Sequence, residues 1–124
     1  MVIGMDGSKV GKNSALVGEA ECGALLVQRV ARIRALPGTS LPFIYQHVNS
    51  FMFHRYVDQV KTSSGIPHIS AKQIREFTIG FPCLAEQTKI ANFLTALDRK
   101  IESVAQQITH TQTFKKGLLQ QMFV

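Results

Sequence analysis

The last third of the chain carries one long apolar stripe, and no other feature restricts its folding as much. Leu94, Leu97, Ile101, Val104, Ile108, Thr111, Lys115, Leu118 and Met122 recur at alternating intervals of three and four residues, the a/d pattern of a heptad repeat. A helix from Ala96 to Met122 would be roughly 40 Å long. That is more than a small preceding domain can cover, so the stripe calls for a partner helix. Thr111 and Lys115 interrupt it, and Phe114 sits beside it; polar seam positions cost stability but select register and partner. Gly117 is locally unfavourable by up to ~1 kcal/mol and leaves room for close helix approach. From Ala85 onward the pattern is helical throughout. Thr95-Ala96-Leu97-Asp98 resembles a capping box with Asp in place of Glu, which predicts a helix over about 85–94, a kink or short break, and a second helix to about Met122.

Before Phe81-Pro82-Cys83-Leu84 the pattern is different, mixing short strands and loops. Val2 to Met5 and Leu25 to Arg34 read as strands, with Val30, Arg32 and Arg34 on one face and Arg29, Ala31 and Ile33 on the other. Over Leu41 to Val60 the period changes: Ile44, Val48, Phe51, Met52, Tyr56 and Val60 predict one helix, with Ser40 as N-cap and Pro42 in its first turn. Its aromatics, Phe43, Tyr45, Phe51, Phe53 and Tyr56, read as core, and His47, His54 and Arg55 occupy the other face. Thr62 to Ser70 is a polar turn leading to an extended piece. Ser70-Ala71-Lys72-Gln73 fits a capping box, so a short helix through Glu76 follows, its N-terminal N–H groups outward and able to accept a phosphate. Phe77 to Phe81 reads as a strand closed by Pro82. The expected architecture is α+β: residues 1–82 form a small mixed α/β domain, and 83–124 a helical region.

The stretch Gly4 to Ser14, GMDGSKVGKNS, looks like a phosphate-binding loop but fails on spacing. Three residues rather than four separate Gly7 from Gly11, and Asn13 follows Lys12 where a Ser or Thr hydroxyl is needed. It reads instead as a turn, signalled by Asp6-Gly7, in which Gly11 permits positive φ. His47, His54, His68 and His110 have no metal-ligand spacing, and the carboxylates form no D-x-D or E-x-x-E pair. Cys22 and Cys83 are far apart and read as buried free thiols. Neither a catalytic constellation nor a cofactor site is expected. With no apolar run near the ~18 residues needed to span a bilayer and no signal-like start, a cytoplasmic location is the expectation. The net charge of +6, with nine basic against five acidic residues up to Pro82, favours a polyanionic partner.

The segment IPHISAKQIREFTIGFPCLAEQTKIANFLTALDRKIESV, followed by FKKGLLQQMF, resembles the end of a target recognition domain and the spacer helix of the specificity subunit of type I restriction-modification systems. The resemblance rests on Ile66 to Ile74, on Pro82, on Glu86-Gln87, Lys89-Ile90-Ala91 and Leu97-Asp98, and most specifically on Lys115 to Gln121. GMDGSKVGKNSALV and LVQRVARIR look like the middle of such a domain. It implies that a full subunit has two recognition domains, each reading half of a bipartite DNA site. Two antiparallel helices separate them, set half-site spacing and dock methyltransferase subunits. This chain carries one helical segment and begins in mid-domain, so a truncated half subunit is expected.

The resemblance thus implies a non-catalytic DNA-recognition module whose partner subunits carry methylation and restriction. Its partners would be double-stranded DNA, the methyltransferase and restriction subunits, and a second copy or another specificity subunit. An antiparallel coiled coil would form through Leu97, Ile101, Val104, Ile108, Leu118 and Met122. The residues expected at DNA are Lys9, Lys12, Arg55, Lys61, Lys72 and Arg75, on predicted loops, a helix surface or a helix start, with Thr62, Ser63 and Ser64 of the polar turn as phosphate donors. A competing expectation is a protein-interaction fragment or gene remnant with no DNA affinity.

Overall fold

The computed structural model describes residues 1–63 and 65–123. Three short strands, β1 (Val2–Gly4), β2 (Ser14–Ala15) and β3 (Val30–Arg32), form an antiparallel sheet in the order β2-β1-β3. Four helices follow: α1 (Leu41–Val48), α2 (Phe51–Val60), α3 (Ala71–Glu76) and α4 (Leu84–Met122). The chain divides into two compact units, Met1–Ala91 and Asn92–Val124. The α+β class holds: a small sheet with helices, then one long helix.

Strand periodicity sorts the sheet's faces. Ile3 pairs with Ala31, and Ile33 donates its N–H to Met1 O at 2.9 Å, so Met1, Ile3, Met5, Ala31 and Ile33 turn together toward the core. There they meet Val10, Val48, Phe53, Val57 and Ile69. Val30 and Arg32 alternate to the other face, as the sequence predicts. The strand itself is shorter than the expected Leu25 to Arg34, because Arg29 adopts a φ of 64° and Val2–Gly4 offers only three residues to pair with. Leu25 is 93% exposed.

The single helix expected over Leu41 to Val60 is two. Ser40 caps the first, its Oγ accepting from Phe43 N, and Ser50 caps the second by accepting from Phe53 N at 3.3 Å. Asn49 ends the first, its Nδ2 donating to Tyr45 O at 2.8 Å. Two competent caps in succession end one ladder and start another, and the restart rotates the helical phase. Phe53 and Val57 are consequently buried, while Phe51 and Met52 stay exposed, against the expectation of core positions.

Phe77 to Phe81 forms no strand. It is held by rings instead of a ladder: Phe77 packs edge-on to Phe53 at 5.0 Å and tilted on Tyr56 at 5.3 Å, and Phe81 lies 6.2 Å from Phe43. The break expected at Thr95 is also absent, since α4 runs uninterrupted for 39 residues. Nothing within it lacks an N–H or forces a turn, so the backbone ladder outcompetes the cap. Cys22 and Cys83 are exposed rather than buried. Cys22 follows a single 3-10 turn, Glu19–Glu21, in a surface loop, and Cys83 precedes the first turn of α4, where its carbonyl accepts from Glu86 and Gln87.

Candidate nucleic-acid interface

Three segments converge beside the sheet: the loop from Met5 to Asn13, the end of α2, and the stretch from Thr62 to α3. Ile69 N donates to Met5 O at 2.9 Å, Gly7 N to Pro67 O at 3.0 Å, and Thr62 N to His68 O at 3.0 Å. Asp6 and His68 form an antiparallel bridge. Gly11 makes the approach possible. Its φ is +67°, and a Cβ there would lie 2.8 Å from Val57 Cγ2, so only glycine lets the loop lie on α2.

The convergence brings Lys12 and Lys61 onto one carboxylate. Lys12 Nζ lies 3.0 Å from Asp58 Oδ2, and Lys61 Nζ lies 2.7 Å from Asp58 Oδ1. Hydrogen bonds from Lys61 first, and from Lys12 next, hold the Asp58 carboxyl below the usual aspartate range. Thr62 Oγ1 accepts from His68 N at 3.1 Å and pairs with His68 Nδ1 at 2.9 Å. Ser63 follows directly, and Ser64 lies outside the described residues. Lys9 stands exposed one turn before Lys12, its carbonyl accepting the Lys12 N–H.

The predicted capping box opens α3. Gln73 N donates to Ser70 Oγ at 3.2 Å, and Ser70 N donates back to Gln73 Oε1 at 2.8 Å. Gln73 Nε2 also donates to Val60 O, and Tyr56 OH to Gln73 O, which ties α3 to the last turns of α2. Burial, with Glu76 nearby, pushes the Tyr56 phenol up. Lys72 is highly exposed, 3.8 Å from Glu76, and Arg75 Nε donates to Ala71 O. Arg55 stands apart from the two lysines, in a shallow depression with Met52, Tyr56, Gln59 and Glu76.

Two residues carry structural roles that the sequence reading does not assign them. Asp58 is one; its spacing of three from Lys61 on a helix was the available signal. The other is Gln87, buried and bonded to Ser40 N, Gly38 O and Pro82 O. Its sequence signals are its place in the Glu86-Gln87 pair that carries the family resemblance and its polarity amid an otherwise amphipathic pattern. Among the histidines, burial lowers the pKa of His47, whose ring packs edge-on to Phe43 at 4.6 Å. His54 Nε2 is buried without a hydrogen-bond partner among the described residues. No group of three His, Cys, Asp or Glu side chains among the described residues gathers to hold a metal ion, and no described helix is long and apolar enough to cross a membrane.

In the second unit the stripe is uncovered. Leu97, Ile101, Val104, Ile108, Leu118 and Met122 are 40–72% exposed, and the polar Thr111 hydroxyl is satisfied within the helix by Gln107 O at 2.8 Å. The family model described as "Type I restriction modification DNA specificity domain" matches residues 26–111, from the loop before β3 to well inside α4. The chain belongs to this family. The specificity domain is also 35% identical over 60 residues to the type I restriction enzyme MjaVIII specificity subunit of Methanocaldococcus jannaschii. That alignment covers 48% of this chain and 14% of the relative. No solved structure matches the chain.

Proposed function

We propose that this specificity domain recognises double-stranded DNA within a type I restriction-modification system. The observation that carries the reading is the family match over residues 26–111. Residues 1–82 act as the partial target recognition domain and 83–124 as the spacer and pairing helix. Lys9, Lys12, Lys61, Thr62 and Ser63 contact phosphates from one patch, and Lys72, Arg75 and Arg55 extend the contact along α3 and α2. Phosphate contacts position the domain, and base-edge contacts specify sequence. The exposed stripe of α4 pairs, antiparallel, with the same helix of a second copy or of another specificity subunit, and the pair docks the methyltransferase and restriction subunits. Catalysis belongs to those subunits, and the whole operates in the cytoplasm without a cofactor of its own.

A duplex titration over a series of salt concentrations tests the DNA step. Binding should weaken steeply with salt, and Lys72→Ala should lower the slope of log K against log salt by about 0.9, the contribution of one phosphate contact. Absence of binding at low salt refutes it. The exposed apolar stripe favours one competing reading, a protein-interaction piece without DNA affinity. Retention by a methyltransferase subunit with no retention of duplex DNA identifies that case.

A further inference from the structure

We propose that Asp58 tunes the grip of this surface on DNA, its carboxylate competing with DNA phosphates for the ammonium groups of Lys12 and Lys61. The inference rests on the DNA-recognition reading above and adds a residue that sets its strength and selectivity. Lys12 reaches Asp58 from the glycine-bearing loop and Lys61 from the end of the helix, one carboxylate oxygen each. All three side chains are about one-third to two-fifths exposed, so the cluster lies open at the surface.

The carboxylate is not needed to hold the loop down. Gly11 already lies against Val57 and Ile69, and backbone bonds from Gly7 and Ile69 fasten both sides. Ion pairs between exposed side chains add little to folding. The charge therefore acts mainly on what the lysines meet outside the protein. Each ammonium has three N–H donors, and Asp58 draws one from each lysine. A phosphate arriving out of register meets two half-neutralised lysines beside a negative charge. A phosphate placed where both ammoniums can turn toward it gains two charge-assisted bonds and offsets the loss. Asp58 thus weakens loosely placed backbone more than registered backbone, which is selectivity by penalising the wrong contact.

The test compares Asp58→Asn with Glu19→Gln, which makes the same change in net charge in the exposed 3-10 turn. The probe is a random-sequence duplex titrated between 50 and 200 mM salt. Asp58→Asn should bind tighter than wild type at 50 mM. Each freed lysine should add up to about 0.9 to the salt slope, an extra loss of up to about 3.5-fold per lysine over this range and up to about 12-fold for both. Glu19→Gln should keep the wild-type slope, and Asp58→Glu should return to it. Lys12→Ala should cost a full contact in the Asp58→Asn background and a fraction of one in wild type. Asp58→Ser, short and uncharged, should repeat the sign if asparagine disturbs the turn. Binding by Asp58→Asn no tighter than by Glu19→Gln, or equal cost of Lys12→Ala in both backgrounds, overturns the role of Asp58 and leaves DNA recognition standing. No binding by any of these proteins at 50 mM overturns both.

Discussion

Replacing Gln87 with leucine should loosen the first unit by about 3 kcal/mol. The side chain is 2% exposed. Its Oε1 accepts from Ser40 N at 2.9 Å, and its Nε2 donates to Pro82 O at 2.8 Å and Gly38 O at 3.3 Å. One amide thereby joins the start of α1, the loop before it and the segment entering α4. Leucine fills nearly the same volume but leaves three partly buried backbone groups without a partner. At about 1 kcal/mol each, the lower end of the cost of an orphaned buried group, the sum is about 3 kcal/mol. For a unit of this size, about 4–8 °C is lost per kcal/mol, which gives a fall in Tm of about 12–24 °C. Tyr45 and Tyr56 are the chain's two tyrosines and both lie in this unit, so tyrosine fluorescence during urea or thermal unfolding reports it selectively. Gln87→Glu gives a second signature. Burial opposite two carbonyls raises the folded pKa of that carboxyl above its unfolded value of about 4.3. Its stability is then greatest below the unfolded pKa and is lost as pH rises through the folded one, so the deficit against wild type shrinks in acid. A Leu variant within about 0.5 kcal/mol of wild type, the range of an ordinary surface change, or a Glu deficit independent of pH, would refute the role assigned to Gln87.

Gly11→Ala should cost about 2–4 kcal/mol, from a left-handed conformation plus overpacking against Val57; urea unfolding measures it, and a neutral result would mean that the loop does not lie on α2. Ile108→Asp should raise the dissociation constant for self-association at least about 100-fold, because it removes about 1.5–3 kcal/mol of apolar burial from each helix of a pair. Light scattering reads this out, and a wild-type chain that stays monomeric at high concentration, or a variant that associates unchanged, counts against pairing through the stripe. His47 should make folding pH-dependent. Its folded pKa lies below the ordinary 6.5, so the unfolded chain binds the extra proton, and the contribution is present above 6.5 and lost as pH falls through the folded value. His47→Gln should flatten that slope, and a melting series over this range that is superimposable on wild type refutes the burial argument.

Legibility in the sequence tracked how local the deciding interactions are. The capping box at Ser70 and Gln73 closes within four residues and was readable directly, as was Ser40 ahead of Pro42. The long helix was readable because its stripe repeats over some eight turns. The split at Asn49 and Ser50 was also local, but in the sequence its two caps compete with a continuing apolar period, which on its own predicts one helix. The same happened in reverse at Thr95, where a plausible cap lost to an unbroken ladder. The candidate site was legible only as a roster of basic residues. Lys12 and Asp58 are 46 positions apart, and no spacing rule couples them.

By itself, then, the sequence determined the class of the fold, the long amphipathic helix and the positive charge available for a polyanion, since composition and short-period patterns carry these, and its motifs carried the resemblance to the family. Only the tertiary structure decided which helical face became core after Ser50, that Gln87 ties α1 to the entrance of α4, and that Lys12 and Lys61 share one carboxylate. Those outcomes depend on segments distant in the chain meeting at a few ångströms, with Gly11 admitting the approach because it has no Cβ. Side-chain identity along the chain does not contain that distance; packing supplies it.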